Sequence, residues 1–145
     1  MQYTIFIDIH QSLDKVVRCF DDPDQLKLWM PGLQSMEVVE GTMGQPGCVS
    51  KMVFLEGKRT IELTETILSK NLPSEFTTRY HASGMVNGVT TRFVPIDSKT
   101  TRYLSENTFE FKGLMKWASF FLKGVLKKQS MKYLKAFKEY VESLD

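Results

Sequence analysis

One carboxylate falls on the face of a predicted β-strand that is otherwise apolar. Ile61, Leu63 and Ile67 occupy alternate positions of residues 59–68, and Glu65 lies in the same register. A charged side chain on a buried face is costly unless it is paired or has a function. Glu65 could therefore orient a ligand or act as an acid of raised pKa. A β-bulge that turns Glu65 into solvent is the alternative.

The two histidines are the other residues suited to general acid–base chemistry. His81 shares its strand face with Thr77 and Arg79, which predicts a side chain in solvent. His10 ends the first predicted strand beside a loop and is also expected at the surface. An enzyme would have to pair Glu65 with His81 or with a tyrosine, so no catalytic residue is assigned.

Two predicted strands in the second half of the chain each have a face that mixes aromatic and neutral polar side chains. On residues 100–111 this face carries Tyr103, Ser105 and Asn107, and Asn87 begins the matching face of the preceding strand. Such faces are typical of an amphipathic cavity wall. The alternative is a closed core in which the polar groups bond one another. The candidate ligand-binding residues are Trp29, Met52, Phe54, Glu65, Tyr80, Asn87, Phe93, Tyr103, Ser105, Asn107, Phe109, Trp117 and Phe121.

The composition is that of an ordinary globular chain. Of 145 residues, 42% are hydrophobic and 25% are charged, and 19 basic against 17 acidic residues give a net charge of +2. Nucleic-acid partners normally select a much more basic chain, so none is expected. Two histidines and two cysteines are too few for a multi-histidine or four-cysteine metal site. No metal or cofactor is expected.

The length is typical of one domain, which would span residues 1–145. The chain has no run of about 18 apolar residues, as a membrane-spanning helix requires. Its first residues lack the basic start and long apolar stretch of a signal peptide. A cytoplasmic protein in which Cys19 and Cys48 are free thiols is therefore expected.

Alternation, turn residues and helical spacing predict the elements that would position these side chains. Ser12 and Asp22 are expected N-caps of two short helices that end near Phe20 and Trp29. Residues 113–144 have helical periodicity without proline, and this helix is the only element long enough to cover a curved sheet. Strands are predicted at residues 2–9, 34–40, 48–56, 59–68, 75–82, 86–94 and 100–111.

The long helix has two apolar faces that do not coincide. They are rotated by roughly 100° on a helical projection, and the phase changes between Gly124 and Ser130. This predicts a kink, or a separate first segment that forms a flap over the cavity mouth. The first face consists of Leu114, Trp117, Ala118, Phe121, Leu122 and Val125, and the second of Tyr133, Leu134, Phe137, Tyr140, Val141 and Leu144.

The charges on the first part of the same helix are all positive. Between Phe111 and Lys138 the sequence has eight lysines and no acidic residue. A basic amphipathic segment of this kind can contact an anionic membrane surface. A solvated helix face is the alternative.

Several segments of the chain are similar to one superfamily. The opening strand with residues 12–20 and 22–29 matches its N-terminal part. Residues 62–76 match its strand–turn–strand pattern with a proline turn, and residues 100–102 and 131–137 match its last strand and helix. On these segments the chain resembles the START-like, or SRPBCC, superfamily, and within it the polyketide cyclase/dehydrase-type branch.

The resemblance implies an α+β helix-grip fold. A curved antiparallel sheet of about six to seven strands would wrap around the C-terminal helix, with two short helices after the first strand. The superfamily includes carriers of hydrophobic ligands, cyclases and chaperone co-factors, and it has no common catalytic triad.

For this chain the resemblance implies binding or transport of a small hydrophobic molecule, lipid- or polyketide-like, between the sheet and the C-terminal helix. One alternative is a cyclase or hydrolase that acts on such a ligand in the same cavity. Another is a regulatory or membrane-surface module that uses the lysine-rich helix. The resemblance leaves the oligomeric state open.

Overall fold

A curved antiparallel sheet forms most of the chain. The computed structural model describes residues 1–144, without the side chains of Ala118 and Phe120, so the prediction for Ala118 lies outside the described residues. Seven strands lie in the order β1–β7–β6–β5–β4–β3–β2, and each neighbouring pair is antiparallel. The strands are β1 Gln2–Ile9, β2 Leu33–Glu40, β3 Val49–Glu56, β4 Arg59–Asn71, β5 Glu75–Ala82, β6 Met85–Asp97 and β7 Thr100–Phe111.

Alternation along the strands divides the sheet into a concave inner face and an outer face. In β1, Tyr3 and Ile5 are buried, whereas Thr4 and Phe6 are exposed. The same period of two holds in β7, where every second residue from Tyr103 to Phe109 is buried. Side chains from all the central strands therefore meet on one surface, and the predicted α+β architecture is confirmed.

Two short helical segments follow β1. Helix α1 spans Leu13–Phe20, and the Ser12 hydroxyl accepts a hydrogen bond of 3.3 Å from the backbone N–H of Lys15. The second segment is a 3₁₀ turn, Pro23–Gln25, followed by the one-turn helix α2, Leu26–Trp29. The carboxylate of Asp22 accepts from the N–H of Asp24 at 3.0 Å. Both predicted N-caps are thus in place.

The last helix, α3, is continuous from Met115 to Ser143. Its principal contacts are with β1 and β7, and it also contacts α1 and α2. Leu134, Phe137 and Val141 form its fully buried side. The expectation of a separate first segment is wrong, because no residue between Gly124 and Ser130 interrupts the helix.

The first apolar face of α3 points into solvent. Trp117 is 80% exposed and Phe121 is 84% exposed. Closer to the N-terminus of α3, Leu126 and Ser130 lie on the side that faces β1. Trp117 and Phe121 lie on the opposite side of the helix. The prediction that this face forms a flap over a cavity is therefore wrong.

Two separate apolar clusters pack beneath the sheet. The first is centred on Phe137, whose ring centroid lies 4.8 Å from that of Trp29 and 5.5 Å from that of Tyr103. The second, on the β2–β3 side, contains Leu33, Met52 and Phe54. The middle of the concave face lies between them, on β4 and β5.

Candidate functional site

A row of polar side chains crosses the middle of the concave face. Ser50 on β3 pairs with Glu65 on β4, Glu65 with Tyr80 on β5, and Tyr80 with Asn87 on β6. Because directly paired residues point to the same side of a sheet, these four side chains share the inner face. The sheet thus places a short polar strip between the two apolar clusters.

Glu65 is the acidic residue of this strip. Glu65 is only 9% exposed, and its Oε2 accepts a 2.7 Å hydrogen bond from the Tyr80 hydroxyl. The alternative of a bulge at Glu65 is excluded, because the β3–β4 register is unbroken and the β4–β5 shift falls between Ile67 and Ser69. Glu65 therefore points inward, as the alternation predicted.

The electrostatics of this pair follow from burial. Desolvation raises the pKa of Glu65, and the hydrogen bond from Tyr80 opposes that rise. The pKa of Tyr80 is raised well above its usual value, chiefly by burial and then by the negative charge of Glu65. Tyr80 therefore acts as a neutral donor, and Glu65 is an acid that keeps its proton to a higher pH than an exposed carboxyl does.

Three further polar groups lie on β7, facing the same interior. The amide of Asn107 donates to the Ser105 hydroxyl at 2.9 Å, and both residues are buried. Burial raises the pKa of the Tyr103 hydroxyl, which has no hydrogen-bond partner among the described residues. Ser105 and Asn107 thus bond each other, whereas the hydroxyl of Tyr103 is available to another group.

The concave face is not closed over β4–β6. Ile61, Leu63, Asn87 and Val89 point inward and yet are only half-buried. The reason is the position of α3, which packs on β1 and β7 at one side of the sheet. The inner face therefore keeps accessible apolar surface in the space beside the polar strip.

The boundaries of this space come from α2, α3 and β3. The ring of Tyr133 on α3 meets Phe54 on β3 edge-to-face, at a centroid distance of 6.4 Å, and so spans the gap between helix and sheet. The indole N–H of Trp29 is buried and has no hydrogen-bond acceptor among the described residues. It is a donor without a partner in the wall formed by α2.

The predicted site residues fall into two groups. Trp117 and Phe121 are corrected: they lie on the solvent side of α3 and cannot line the interior, for the reason of helix phase given above. The other eleven are buried or half-buried, in α2 or on the inner strand face: Trp29, Met52, Phe54, Glu65, Tyr80, Asn87, Phe93, Tyr103, Ser105, Asn107 and Phe109.

The candidate list lacked the residues that α3 contributes. Besides Tyr133, Ser130 faces inward, and its hydroxyl lies 2.6 Å from that of Tyr3. The Tyr3 hydroxyl also donates to the carbonyl oxygen of Leu126 at 3.0 Å. The signal was present in the sequence, since these positions continue the apolar face of Phe137 at helical spacing.

The histidines lie outside this site. His81 is exposed on the outer face of the sheet, and His10 is exposed at the end of β1. The backbone N–H of His10 donates to Glu142 at 2.7 Å. Within residues 1–144, no cluster of three or more histidine, cysteine or acidic side chains has the arrangement of a metal site.

A depression of about 830 Å³ lies on the outer face of the sheet. Gly88, Thr90 and Thr108 are among its lining residues, and a Cβ at Gly88 would lie 2.6 Å from the Thr108 hydroxyl oxygen. Exposed side chains of both charge signs, Arg79 and Glu110 among them, line it. The charged residues that line it are exposed or half-buried, whereas Glu65 on the inner face is buried.

Solved structures with the same fold come from proteins of different activity. The Zhui aromatase/cyclase from Streptomyces sp. R1128 superposes with a TM-score of 0.82 at 14% identity, covering 98% of this chain and 93% of that one. A START superfamily protein from Mycobacterium smegmatis gives 0.79 at 13% identity, with 99% of both chains covered. A truncated norcoclaurine synthase from Thalictrum flavum gives 0.78 at 13%, covering 100% and 95%.

At these identities the structural likeness shows the fold alone. Among curated proteins, none matches the sequence significantly. The family model described as polyketide cyclase/dehydrase and lipid transport matches residues 2–142. The chain therefore belongs to the polyketide cyclase/dehydrase and lipid transport family.

Proposed function

We propose that the protein binds a small hydrophobic molecule, lipid- or polyketide-like, between the concave face of the sheet and helix α3. The observation that carries the proposal is the hydrogen-bonded pair of buried Glu65 and half-buried Tyr80, which lies beside apolar side chains that remain accessible. Burial of apolar area would supply most of the affinity, at roughly 25 cal/mol per Å². The polar strip would orient one hydroxyl or carbonyl group of the ligand.

Three hydrogen-bonding groups are suited to that orienting role. Glu65 in its protonated form can donate a hydrogen bond to a ligand oxygen. The Tyr103 hydroxyl and the Trp29 indole N–H supply two further donors at the edges of the space. A ligand that is largely apolar, with one or two oxygen acceptors, matches this set.

The direct test has two parts. Protein purified from a cellular host is extracted, and bound small molecules are quantified by mass spectrometry; we expect a hydrophobic species near one per protein. The emptied protein is then titrated with the neutral fluorescent probe N-phenyl-1-naphthylamine, and we expect saturable binding to one site per chain.

Variants on a single strand locate the probe. Leu63→Trp fills the inner face of β4, whereas Leu68→Trp places the same ring on its outer face, where Leu68 is exposed. We expect the first to weaken probe binding at least tenfold and the second to leave it unchanged. Val89→Phe tests the same space from β6 if Leu63→Trp fails to fold. Equal binding by all folded variants would contradict the proposal.

A cyclase- or hydrolase-type reaction in the same space is the second candidate. It is favoured by the arrangement of Glu65, an acid whose pKa is raised, on the same face as Tyr80 and Tyr103. Such an acid can protonate a carbonyl oxygen and then recover the proton from the product. Glu65→Gln distinguishes the two functions. If the protein is an enzyme, the change would abolish turnover of its substrate while keeping the affinity for the probe within about threefold of wild type.

The compartment expected for this function is the cytoplasm. Cys19 and Cys48 are both buried and unpaired. Thiols that persist unpaired are typical of a reducing compartment.

A further inference from the structure

The solvent side of helix α3 has a continuous line of exposed side chains of two kinds. Leu114, Trp117, Phe121 and Val125 follow one another at intervals of three or four residues, and each is strongly exposed. Positions at this spacing lie above one another on a helix. We call these four residues the apolar strip.

The same line continues as a basic strip toward the C-terminus. Lys128, Lys132 and Lys135 follow Val125 at the same spacing, and all three are exposed. The first acidic residue on the line is Glu139. Four other exposed lysines lie in the first half of α3 or just before it: Lys112, Lys116, Lys123 and Lys127.

None of these seven lysines forms an ion pair with any residue in the range 1–144. The lysine ion pairs in that range belong to Lys51, Lys70 and Lys138. The charge around the apolar strip is therefore available to an external anion. Large apolar side chains exposed together, with cations around them, mark a surface used for contact.

We propose that the apolar and basic strips of α3 dock the protein onto the surface of a bilayer that contains anionic lipids. Tryptophan and phenylalanine partition into the interfacial layer, where an indole N–H stays hydrated and the ring is buried. Lysines beside them reach the lipid phosphates. The helix lies along the surface; no helix in residues 1–144 is long and apolar enough to cross the membrane.

Charge complementarity favours a lipid surface over a second copy of the chain. Two copies joined through this face would bring their unpaired lysines together without acidic residues between them. Among the described residues the apolar strip also has no partner, because it faces away from the side of α3 that packs on β1 and β7. An anionic bilayer satisfies both the exposed rings and the charge.

Sedimentation with vesicles measures the docking directly. The full chain is mixed with vesicles of phosphatidylcholine alone, or with about 30% phosphatidylglycerol, at low salt. We expect binding to the mixed vesicles, at least tenfold weaker binding to the neutral ones, and loss of binding as salt rises.

Tryptophan emission reports the depth of the contact. Trp117 is exposed and Trp29 is buried, so a blue shift on binding and quenching by brominated lipid should come from Trp117. Trp117→Phe should remove the shift and keep most of the binding. If the emission of the bound protein does not change, another surface contacts the membrane and the proposal is overturned.

Paired variants test each strip against a matched control. Trp117→Ser with Phe121→Ser should lower the partition coefficient at least tenfold, whereas Val39→Ser with Val94→Ser, exposed on the sheet, should change it less than twofold. Lys128→Gln with Lys132→Gln should lower it roughly 30-fold, at about fivefold per lysine. Lys58→Gln with Lys99→Gln, in strand turns, should leave it within twofold.

Three outcomes would overturn the proposal. One is absence of binding to vesicles with 30% anionic lipid at low salt; another is equal binding by strip and control variants. The third is a dimer in sedimentation equilibrium that the Trp117→Ser and Phe121→Ser changes dissociate, since a second copy would then cover the strip. The strip lies outside the concave face, so probe binding by the same protein tests the ligand site separately.

Discussion

The hydroxyl of Tyr80 and the carboxylate of Glu65 meet at 2.7 Å across two neighbouring strands, on the inner face of the sheet. Direct pairing in the β4–β5 ladder fixes both side chains on that face. The consequence is a carboxyl group held in one orientation at low solvent exposure. This relationship determines how the stability of the protein should depend on pH.

Glu65→Gln should stabilise the protein at high pH and have little effect at low pH. The folded-state pKa of Glu65 is raised above its usual value of 4.5, so the native state binds a proton more tightly than the unfolded chain does. The stability that Glu65 contributes is therefore present below about pH 4.5 and is lost as pH rises toward the folded-state pKa.

Thermal unfolding of wild type and Glu65→Gln between pH 4 and pH 8 measures this difference. We expect the variant to melt about 3–6 °C higher at pH 8, with the two curves converging near pH 4. The exposed Glu62 of the same strand is the control, and Glu62→Gln should shift the melting temperature little at either pH. A Glu65→Gln protein that is less stable at pH 8 would contradict the prediction.

Tyr80→Phe should destabilise the protein at high pH, opposite to the effect of Glu65→Gln. The change removes the hydrogen bond that lowers the pKa of Glu65 and leaves the buried carboxylate without that donor. We expect a loss of about 1–2 kcal/mol in the free energy of unfolding at pH 8. Denaturant titrations of both single variants and of the double variant give the coupling energy, and a value near zero would show that the bond contributes no stability.

Two phenylalanines on α3 should differ sharply in their contribution to stability. Phe137 is 0% exposed and contacts the rings of Trp29 and Tyr103, whereas Phe121 is in solvent. Phe137→Ala should lower the free energy of unfolding by about 3–5 kcal/mol. Phe121→Ala should change it by less than about 0.5 kcal/mol. Comparable losses measured in urea would mean that the first half of α3 packs on the protein.

This contrast also shows what the sequence could and could not reveal. Alternation determines which side of a strand is buried, so the inward position of Glu65 was predictable from Ile61, Leu63 and Ile67. The helix has two apolar faces, and propensity alone does not select between them. Packing of Phe137 against α2 and β7 selects one, and Trp117 and Phe121 then lie outside.

The mixed aromatic and polar strand faces and the family resemblance both predicted a cavity wall, but neither predicted how much of it stays accessible. Half-burial of Leu63 and Val89 depends on α3 lying over β1 and β7, a tertiary position that no local pattern encodes. Tyr133 was likewise recognisable as part of an apolar face, and its contact with Phe54 arises from the helix position. Strand patterns thus predict the wall, and packing decides how much of it stays accessible.

Gly32 should tolerate alanine much less well than Gly57. Both have positive φ, at +77° and +62°, so both changes carry the cost of a left-handed conformation, about 1 kcal/mol. At Gly32 an added Cβ would also collide with the carbonyl oxygen of Leu55, whereas at Gly57 no atom lies within 4 Å. We expect Gly32→Ala to cost at least about 2 kcal/mol more in urea unfolding. Equal costs would show that the loop between α2 and β2 can move away from β3.

Tyr133→Ala should speed ligand exchange, if the proposed site is correct. The Tyr133–Phe54 contact spans the gap between α3 and β3, beside the accessible space. Removing the ring should raise the association and dissociation rates of N-phenyl-1-naphthylamine severalfold, and change the equilibrium constant less, because both directions pass the same opening. Stopped-flow fluorescence measures the two rates.

Tyr140→Ala is the matched control for exchange through that opening. Tyr140 lies on the same helix, but its hydroxyl donates to Gln25 at 2.7 Å, near α2. Its loss should lower stability without changing the exchange rates of the folded protein. Identical rates in wild type and Tyr133→Ala would show that the probe enters elsewhere. Faster exchange in the Tyr140 variant alone would point to the side of α2, where Trp29 has its unpaired indole N–H.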